Sequence, residues 1–311
     1  MPYIDGIWVA ESTVENRLIV KYNAAPGWTS QAGFRFARAG FVNEKLPSGI
    51  YRFVKGDDGL FFEKQTFPTD AAVSLPGLPS EYILNQMKLF WSKADEYKKH
   101  SLIHKRGILM YGSPGCGKTS IVRLLCNEIL DLGGIVFSID DYTHAASFVN
   151  EFRSVEPTRM ILTIQEDIES YFDGTAGADQ LKGALSFLDG ENQTNNIVHF
   201  ATTNEPEKLA DRFIKRPGRF DLVIGMHAPT EETRRAYLKH VDPMLEESIL
   251  EELVSKTEGL SLAYLRELIS TYVCLGIPLE DTLKRLRSDS KRKTLKNKTE
   301  EKLGFTVGYG G

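Results

Sequence analysis

The chain lacks several features, and each absence narrows the field. No stretch approaches the run of about 20 apolar residues that a membrane-spanning helix needs. The opening "MPYIDGIWVAEST" has no basic region followed by an apolar core, so neither membrane insertion nor a secretory leader is expected. Cys116, Cys126 and Cys274 are the three cysteines, too few and too scattered for a disulfide framework or a zinc site. A reducing, cytoplasmic location is the simplest expectation. The six histidines show no HExxH or comparable ligand spacing, so no structural metal is expected. A net charge of −4 gives no overall pull toward nucleic acid or anionic lipid. What is present is an ordinary globular composition, 41% hydrophobic and 26% charged, over 311 residues, long enough for two domains with real cores.

Residues 1–75 read as a mostly-β N-terminal domain. "RLIVKYNA", "GFRFARA", "GIYRFVK" and "GLFFEKQ" mix aromatic and β-branched residues with polar ones, several in alternation. "KGDDG" (55–59) reads as a hairpin turn. Twelve aromatics within residues 1–70 are enough to fill a small separate core. "SLPGLPS" (74–80) marks the boundary. A helix follows from about Ser80, a candidate N-cap, to His100, with Tyr82, Ile83, Met87, Phe90 and Trp91 forming its apolar stripe. From residue 106 to 228, strands at 107–111, 134–139, 160–164, 197–203 and 222–226 alternate with helical patterns. That order predicts an α/β fold in which a parallel sheet lies between helices. Residues 229–288 read as all-helical, and "PTEETRRAYLKHV" opens with a proline and a capping pattern. Residues 289–311 form a basic tail; nine Lys/Arg stand against three Asp/Glu over 284–302.

"GSPGCGKT" (112–119) fits G-x-x-x-x-G-K-[ST] in full, after an apolar strand and at the start of a helix. In such a phosphate loop Gly112, Ser113, Pro114, Gly115, Cys116 and Gly117 bring backbone N–H groups to phosphate oxygens, with Ser120 following in the helix. Lys118 is expected to reach the β- and γ-phosphates and the Thr119 hydroxyl to ligate Mg²⁺. Thiol modification of Cys116 is expected to block nucleotide. "ILTIQEDIESYF" (161–172) ends an apolar run in two adjacent acids, Glu166 and Asp167. Two registers fit this pair. If Asp167 were the magnesium-side residue, Ile168 would follow it and no second acid would be in place. The register adopted puts Glu166 on the magnesium side and Asp167 on the water-polarising side. Farther on, "IVHFATTNEPEKLADRFIKRPGRFDLVI" ends a strand at Asn204, whose amide suits an attacking water. Arg216 and Arg219 flank Pro217-Gly218, a turn expected to present both guanidinium groups outward, where a neighbour's phosphates would meet them.

These motifs, with "RGILMYGSPGCGKTS" and "TEGLSLAYLRELIS", resemble the AAA clade of AAA+ ATPases over roughly residues 80–280. The resemblance implies a P-loop NTPase core over 76–228 with a helical lid over 229–288. It also implies ATP and Mg²⁺ as ligands, Asn204 as sensor 1, and Arg216 and Arg219 as arginine fingers acting on the adjacent subunit. Ala263 agrees with that clade's lack of a sensor 2 arginine; Arg266 lies one helical turn further on. The short segment "DDYTHAASFVNEFRSVEPTR" (140–159), the Glu-Asp order and "LKGALSFLDGENQTNNIVHFATTN" resemble the mitochondrial Rieske-protein translocase family of AAA proteins. That family is membrane-anchored; no membrane function is carried over to a chain without an apolar span.

The resemblance implies a homo-oligomeric ring of six or seven subunits that hydrolyses ATP and remodels or translocates a protein client. The client would be met through the N-terminal domain or the pore, where Tyr142 and His144 are candidates. The basic tail supports a second class, a nucleic-acid-associated loader or motor. A nucleotide-gated scaffold with slow turnover is the third.

Overall fold

The computed structural model describes side chains for residues 45–56, 60–65, 73–171, 177–189, 194–209, 213 and 218–289, and backbone alone in some further strand and helix positions. Arg216 and the tail over 295–311 lie outside the described residues.

Five runs of apolar and β-branched residues form the expected strands: β9 (Lys105–Gly112), β10 (Ile135–Ser138), β11 (Ile161–Gln165), β12 (Ile197–Thr203) and β13 (Leu222–Met226). They pair in parallel in the order β13-β9-β12-β11-β10. Alternation decides which face each side chain serves. Leu109, Phe137 and Ile161 enter one apolar cluster; Ile108, Met110, Val136 and Leu162 enter the other. Helices α4 (Ala145–Val155) and α5 (Gly177–Asp189) cover the first face. Helices α1 (Ser80–Ser92) and α3 (Lys118–Asp131) cover the second, through Ile83, Met87, Phe90, Ile121, Leu125 and Ile129. A short α2 (Ala94–Lys99) follows α1. The stripe read on α1 is therefore its docking face. Ser80 is not its N-cap; Pro79 holds that position, and the buried Ser80 hydroxyl lies 3.0 Å from that of Ser74.

The sheet does not stop at β10. Strand β7 (Ile50–Gly56) pairs with it in parallel, and β8 (Gly59–Gln65), β6 (Arg35–Ala39) and β5 (Gly27–Gln31) continue antiparallel to a nine-stranded sheet. Four two-residue strands, β1–β4, precede these within residues 3–19. The hairpin read at 55–59 joins β7 to β8. The separate core expected for residues 1–75 is not what this hairpin builds: Tyr51 and Phe62 are fully buried against Phe137, Phe148 and Phe152 of the α/β body. Aromatic content signals a core and is silent about whose core it is.

The lid consists of α6 (Glu231–Val241), α7 (Glu247–Lys256), α8 (Leu262–Leu268) and α9 (Leu279–Thr294) around Leu238, Leu250, Leu253, Leu265 and Leu283. Thr230 caps α6, accepting from the Thr233 N–H at 3.2 Å. The linker before α1 belongs to the lid as much as to the core: Leu75 is buried among lid leucines, and the Thr233 hydroxyl donates to the Pro76 carbonyl. Among the described residues no helix is long and apolar enough to cross a membrane.

His199, on β12, is buried with Nδ1 2.9 Å from the Thr163 hydroxyl. Burial, with Lys105 nearby, lowers its pKa to about 3. The unfolded chain takes up that proton near the usual value of about 6.5 and the folded chain does not. Stability is therefore unaffected above about pH 6.5 and falls progressively toward pH 3, by about 2 kcal/mol at pH 5. Urea unfolding at pH 7.5 and 5.0 is expected to show this loss in the wild type and a smaller one in His199→Gln.

Candidate functional site: a nucleotide cleft at three adjacent strand ends

In a parallel sheet, ligands gather beyond the carboxyl ends of the strands, where the chain order reverses. Here β9, β12 and β11 are neighbours although they are far apart in sequence. Their carboxyl ends deliver the phosphate loop, Asn204 and the Glu166–Asp167 pair to one place. A cleft of about 750 Å³ lies above them, lined by Gly115, Gly117, Lys118, Thr119, Ser120, Glu166, Asp167, Thr202 and Asn204 from the core. Tyr237, His240, Val241, Leu262, Ala263 and Arg266 line it from the lid, and Val73, Leu75 and Leu78 from the linker.

The loop's glycines are required by position. Gly115 and Gly117 take φ of +82° and +106°, which L side chains rarely adopt. A Cβ at Gly115 would stand 2.6 Å from that of Ala263, and the Gly115 carbonyl accepts the Ala263 N–H at 3.1 Å. The lid helix α8 thus sits directly on the phosphate loop. Cys116 is buried rather than presented, its Sγ 4.0 Å from Lys118 Nζ, so a thiol reagent must open the loop to reach it.

Lys118 Nζ donates to the Gly112 carbonyl at 2.5 Å, to the Ser113 carbonyl at 3.3 Å and to Asn204 Oδ1 at 2.6 Å. It is buried and surrounded by acceptors, the poise of an ammonium that exchanges some of them for phosphate oxygens. Asn204 in turn donates through Nδ2 to Asp167 Oδ1 at 2.6 Å. The Thr119 hydroxyl donates to Glu166 Oε2. The two acids therefore face different partners. Glu166 lies with Thr119, where a divalent cation is held in such sites; Asp167 lies with Asn204. Hydroxyl and carboxylate oxygens are hard donors, and a site of two protein oxygens completed by phosphates and water suits Mg²⁺. Thr119 and Glu166 fit that role.

Asp167 takes a left-handed backbone (φ +49°). Its N–H donates to the Thr202 hydroxyl at 3.1 Å. Burial and the neighbouring Glu169 raise its pKa, opposed by Lys118 and the Asn204 hydrogen bond. A carboxylate so raised is a better proton acceptor than an exposed one.

Two sequence expectations are corrected by this geometry. Arg219 is not presented outward. It is buried, and its Nε and an Nη each donate to Asp189 at 2.6 Å in a bidentate pair, because the end of α5 brings that carboxylate alongside it. Tyr142, a candidate for the pore, is not exposed. It is buried against Tyr171 and Phe187, and its loop is clamped to α5 by Gln180, which accepts the Tyr142 N–H at 2.8 Å and donates to Asp141 at 2.7 Å. His144 is half-buried, 3.4 Å from Lys55 Nζ. The apolar flank of the cleft, Val73, Leu78 and Tyr237 among it, carried no motif in the sequence; only its place beside the loop reveals it.

Residues 108–228 match the family model described as "ATPase family associated with various cellular activities (AAA)". A probable mitochondrial chaperone bcs1 of Schizosaccharomyces pombe is 29% identical over 178 residues, 54% of this chain and 39% of that protein. An ATP-dependent zinc metalloprotease FtsH of Aster yellows witches'-broom phytoplasma is 34% identical over 180 residues, 51% of this chain and 26% of that protein. A putative cell division cycle ATPase of Plasmodium falciparum is 25% identical over 229 residues, 68% of this chain and 19% of that protein. The chain thus spans well under half the length of each of these relatives.

Proposed function

From the premise that this chain carries a AAA ATPase domain, we propose that it binds MgATP in the cleft and hydrolyses it at the junction of a homo-oligomeric ring, of six or seven subunits, that remodels or translocates a protein client. The observation that carries this reading is the hydrogen-bonded line Lys118–Asn204–Asp167 beside the Thr119–Glu166 pair. On this reading a phosphate cradle, a water-orienting amide, a general base and cation ligands share one cleft.

The roles follow from reach and chemistry. The loop N–H groups and the α3 N-terminus hold the phosphates. The purine lies on the apolar side, between Val73 and Leu78 of the linker and Tyr237 of the lid. Asn204 orients the attacking water, and Asp167 takes its proton. Mg²⁺, held by Thr119 and Glu166, would neutralise charge on the transferring phosphate. A second subunit supplies Arg216; Arg219 is held to Asp189 within its own subunit. Because linker, lid and loop meet at the nucleotide, binding and release shift the lid against the core. We place the protein in the cytoplasm, with the β-rich segment before residue 75 selecting the client. FtsH and bcs1 are named as protein-handling relatives, which favours a protein client over nucleic acid.

Two mutually deficient variants test the junction. Asp167→Asn has a dead site and a working Arg216; Arg216→Ala has a working site and no arginine to lend. Each alone is expected to be inactive, and mixing them is expected to restore part of the hydrolysis. Specific activity of the wild type is expected to rise with protein concentration as rings form. Activity of Arg216→Ala equal to wild type at every concentration would rule out a catalytic junction. Stimulation by DNA and by unfolded or folded proteins separates the client classes.

A further inference from the structure

Glu169 is a buried carboxylate that the roles above leave unused. It lies in the short helical turn Ile168–Phe172 just after the acid pair, 9% exposed. The left-handed Asp167 starts this turn, and Ser170 N–H closes it on the Asp167 carbonyl at 2.9 Å. The turn folds the Glu169 side chain back toward β12. There Oε1 accepts the backbone N–H of Asn204 at 2.9 Å, while Oε2 is buried with no hydrogen-bond partner among the described residues. A carboxylate hidden from water for one hydrogen bond, beside a second carboxylate, is costly. Buried unsatisfied groups of this kind call for a reason beyond packing.

The position of that one bond supplies the reason. Strand β12 ends at Thr203, so the Asn204 N–H has no ladder partner and its backbone must be held from outside the sheet. Three hydrogen bonds close the gap between the ends of β11 and β12: Asn204 N–H to Glu169, Asp167 N–H to Thr202 Oγ1, and Asn204 Nδ2 to Asp167 Oδ1. Only the third joins the two reacting side chains; the other two hold the backbones that carry them. We propose that Glu169, with Thr202, is a positioning residue that fixes Asn204 and Asp167 in register for attack on the γ-phosphate. This rests on the ATPase reading of the cleft. Neither residue's hydrogen bond reaches the phosphate loop itself, so hydrolysis depends on them more than nucleotide affinity does.

Steady-state phosphate release and equilibrium binding of a fluorescent ATP analogue, on the full chain, test it. Glu169→Ala is expected to lower kcat about 10- to 100-fold, the range for removing a group that orients a functional ligand. The dissociation constant is expected to stay within about threefold. Glu169→Gln keeps an oxygen for the Asn204 N–H and is expected to recover kcat to within about threefold of wild type. Thr202→Val, which removes the acceptor for Asp167 N–H, is expected to lower kcat by a larger factor than it weakens binding. A merely structural brace would lower the melting temperature without this split between kcat and binding. The proposal is overturned if Glu169→Ala keeps wild-type kcat, or if Gln is as impaired as Ala. Should the alanine variant not fold, full kcat in Thr202→Val overturns it equally. A wild-type chain that binds ATP and releases no phosphate would instead overturn the reading of the cleft as an ATPase site.

Discussion

Asp167→Asn is expected to lower ATP hydrolysis by about 10³-fold, within the range for losing a general base, and to leave ATP affinity and folding intact. The amide keeps the oxygen that Asn204 Nδ2 addresses at 2.6 Å, and it cannot take a proton from water. The backbone at 167 is left-handed, a region that asparagine tolerates as well as aspartate. Asp167 also sits where burial and Glu169 disfavour its charge, so neutralising it relieves repulsion and does not unfold the site. Phosphate release together with calorimetric ATP binding checks both halves. A variant that hydrolyses at the wild-type rate would assign the base elsewhere.

Arg159→Ala is expected to destabilise the protein by about 3–5 kcal/mol, the cost of breaking a buried ion pair from one side. Arg159 ties the lower edge of the sheet together. It donates to Glu156 Oε2 at 3.0 Å, to the Leu46 carbonyl at 2.7 Å, and to the Gly133 and Gly134 carbonyls at 3.0 Å each. Glu156 in turn accepts the Leu46 N–H at 2.6 Å. Without the guanidinium, Glu156 remains buried at 4% exposure and loses this ion pair, and the segment leading into β7 loses the link that Arg159 makes from Leu46 to the Gly133 and Gly134 carbonyls. Denaturant unfolding is expected to show the loss, with a lower slope if the hairpin of β7 and β8 detaches first. A change below 1 kcal/mol would mean that this edge is held by packing alone.

The five parallel strands were legible because each is an apolar run buried on both faces, and burial leaves little freedom in composition. The placement of the 112–119 loop and of Asn204 at strand ends was legible because a glycine-rich turn into a helix and the end of an apolar strand leave marks at particular spacings. Other features were decided by partners distant in the chain. Arg219 looked like an outward arginine until Asp189, 30 residues earlier, was found alongside it. Tyr142 followed a strand like a loop residue, yet α5 covers it. The hairpin of β7 and β8 read as part of a separate domain over residues 1–75 because alternation reports that a strand exists, not which sheet it joins. Glu169 lay in plain view, three residues after Glu166, without a signal. Its function depends on one backbone N–H at the end of another strand.

The central claim is that the two adjacent acids divide the work, Glu166 toward the cation and Asp167 toward the water. Titrating Mg²⁺ into ATP-bound Glu166→Gln and Asp167→Asn tests it most directly. Glu166→Gln is expected to raise the Mg²⁺ concentration for half-maximal binding about tenfold or more, whereas Asp167→Asn keeps the wild-type value. The opposite pattern, with Mg²⁺ dependence lost in Asp167→Asn and retained in Glu166→Gln, would contradict the assignment.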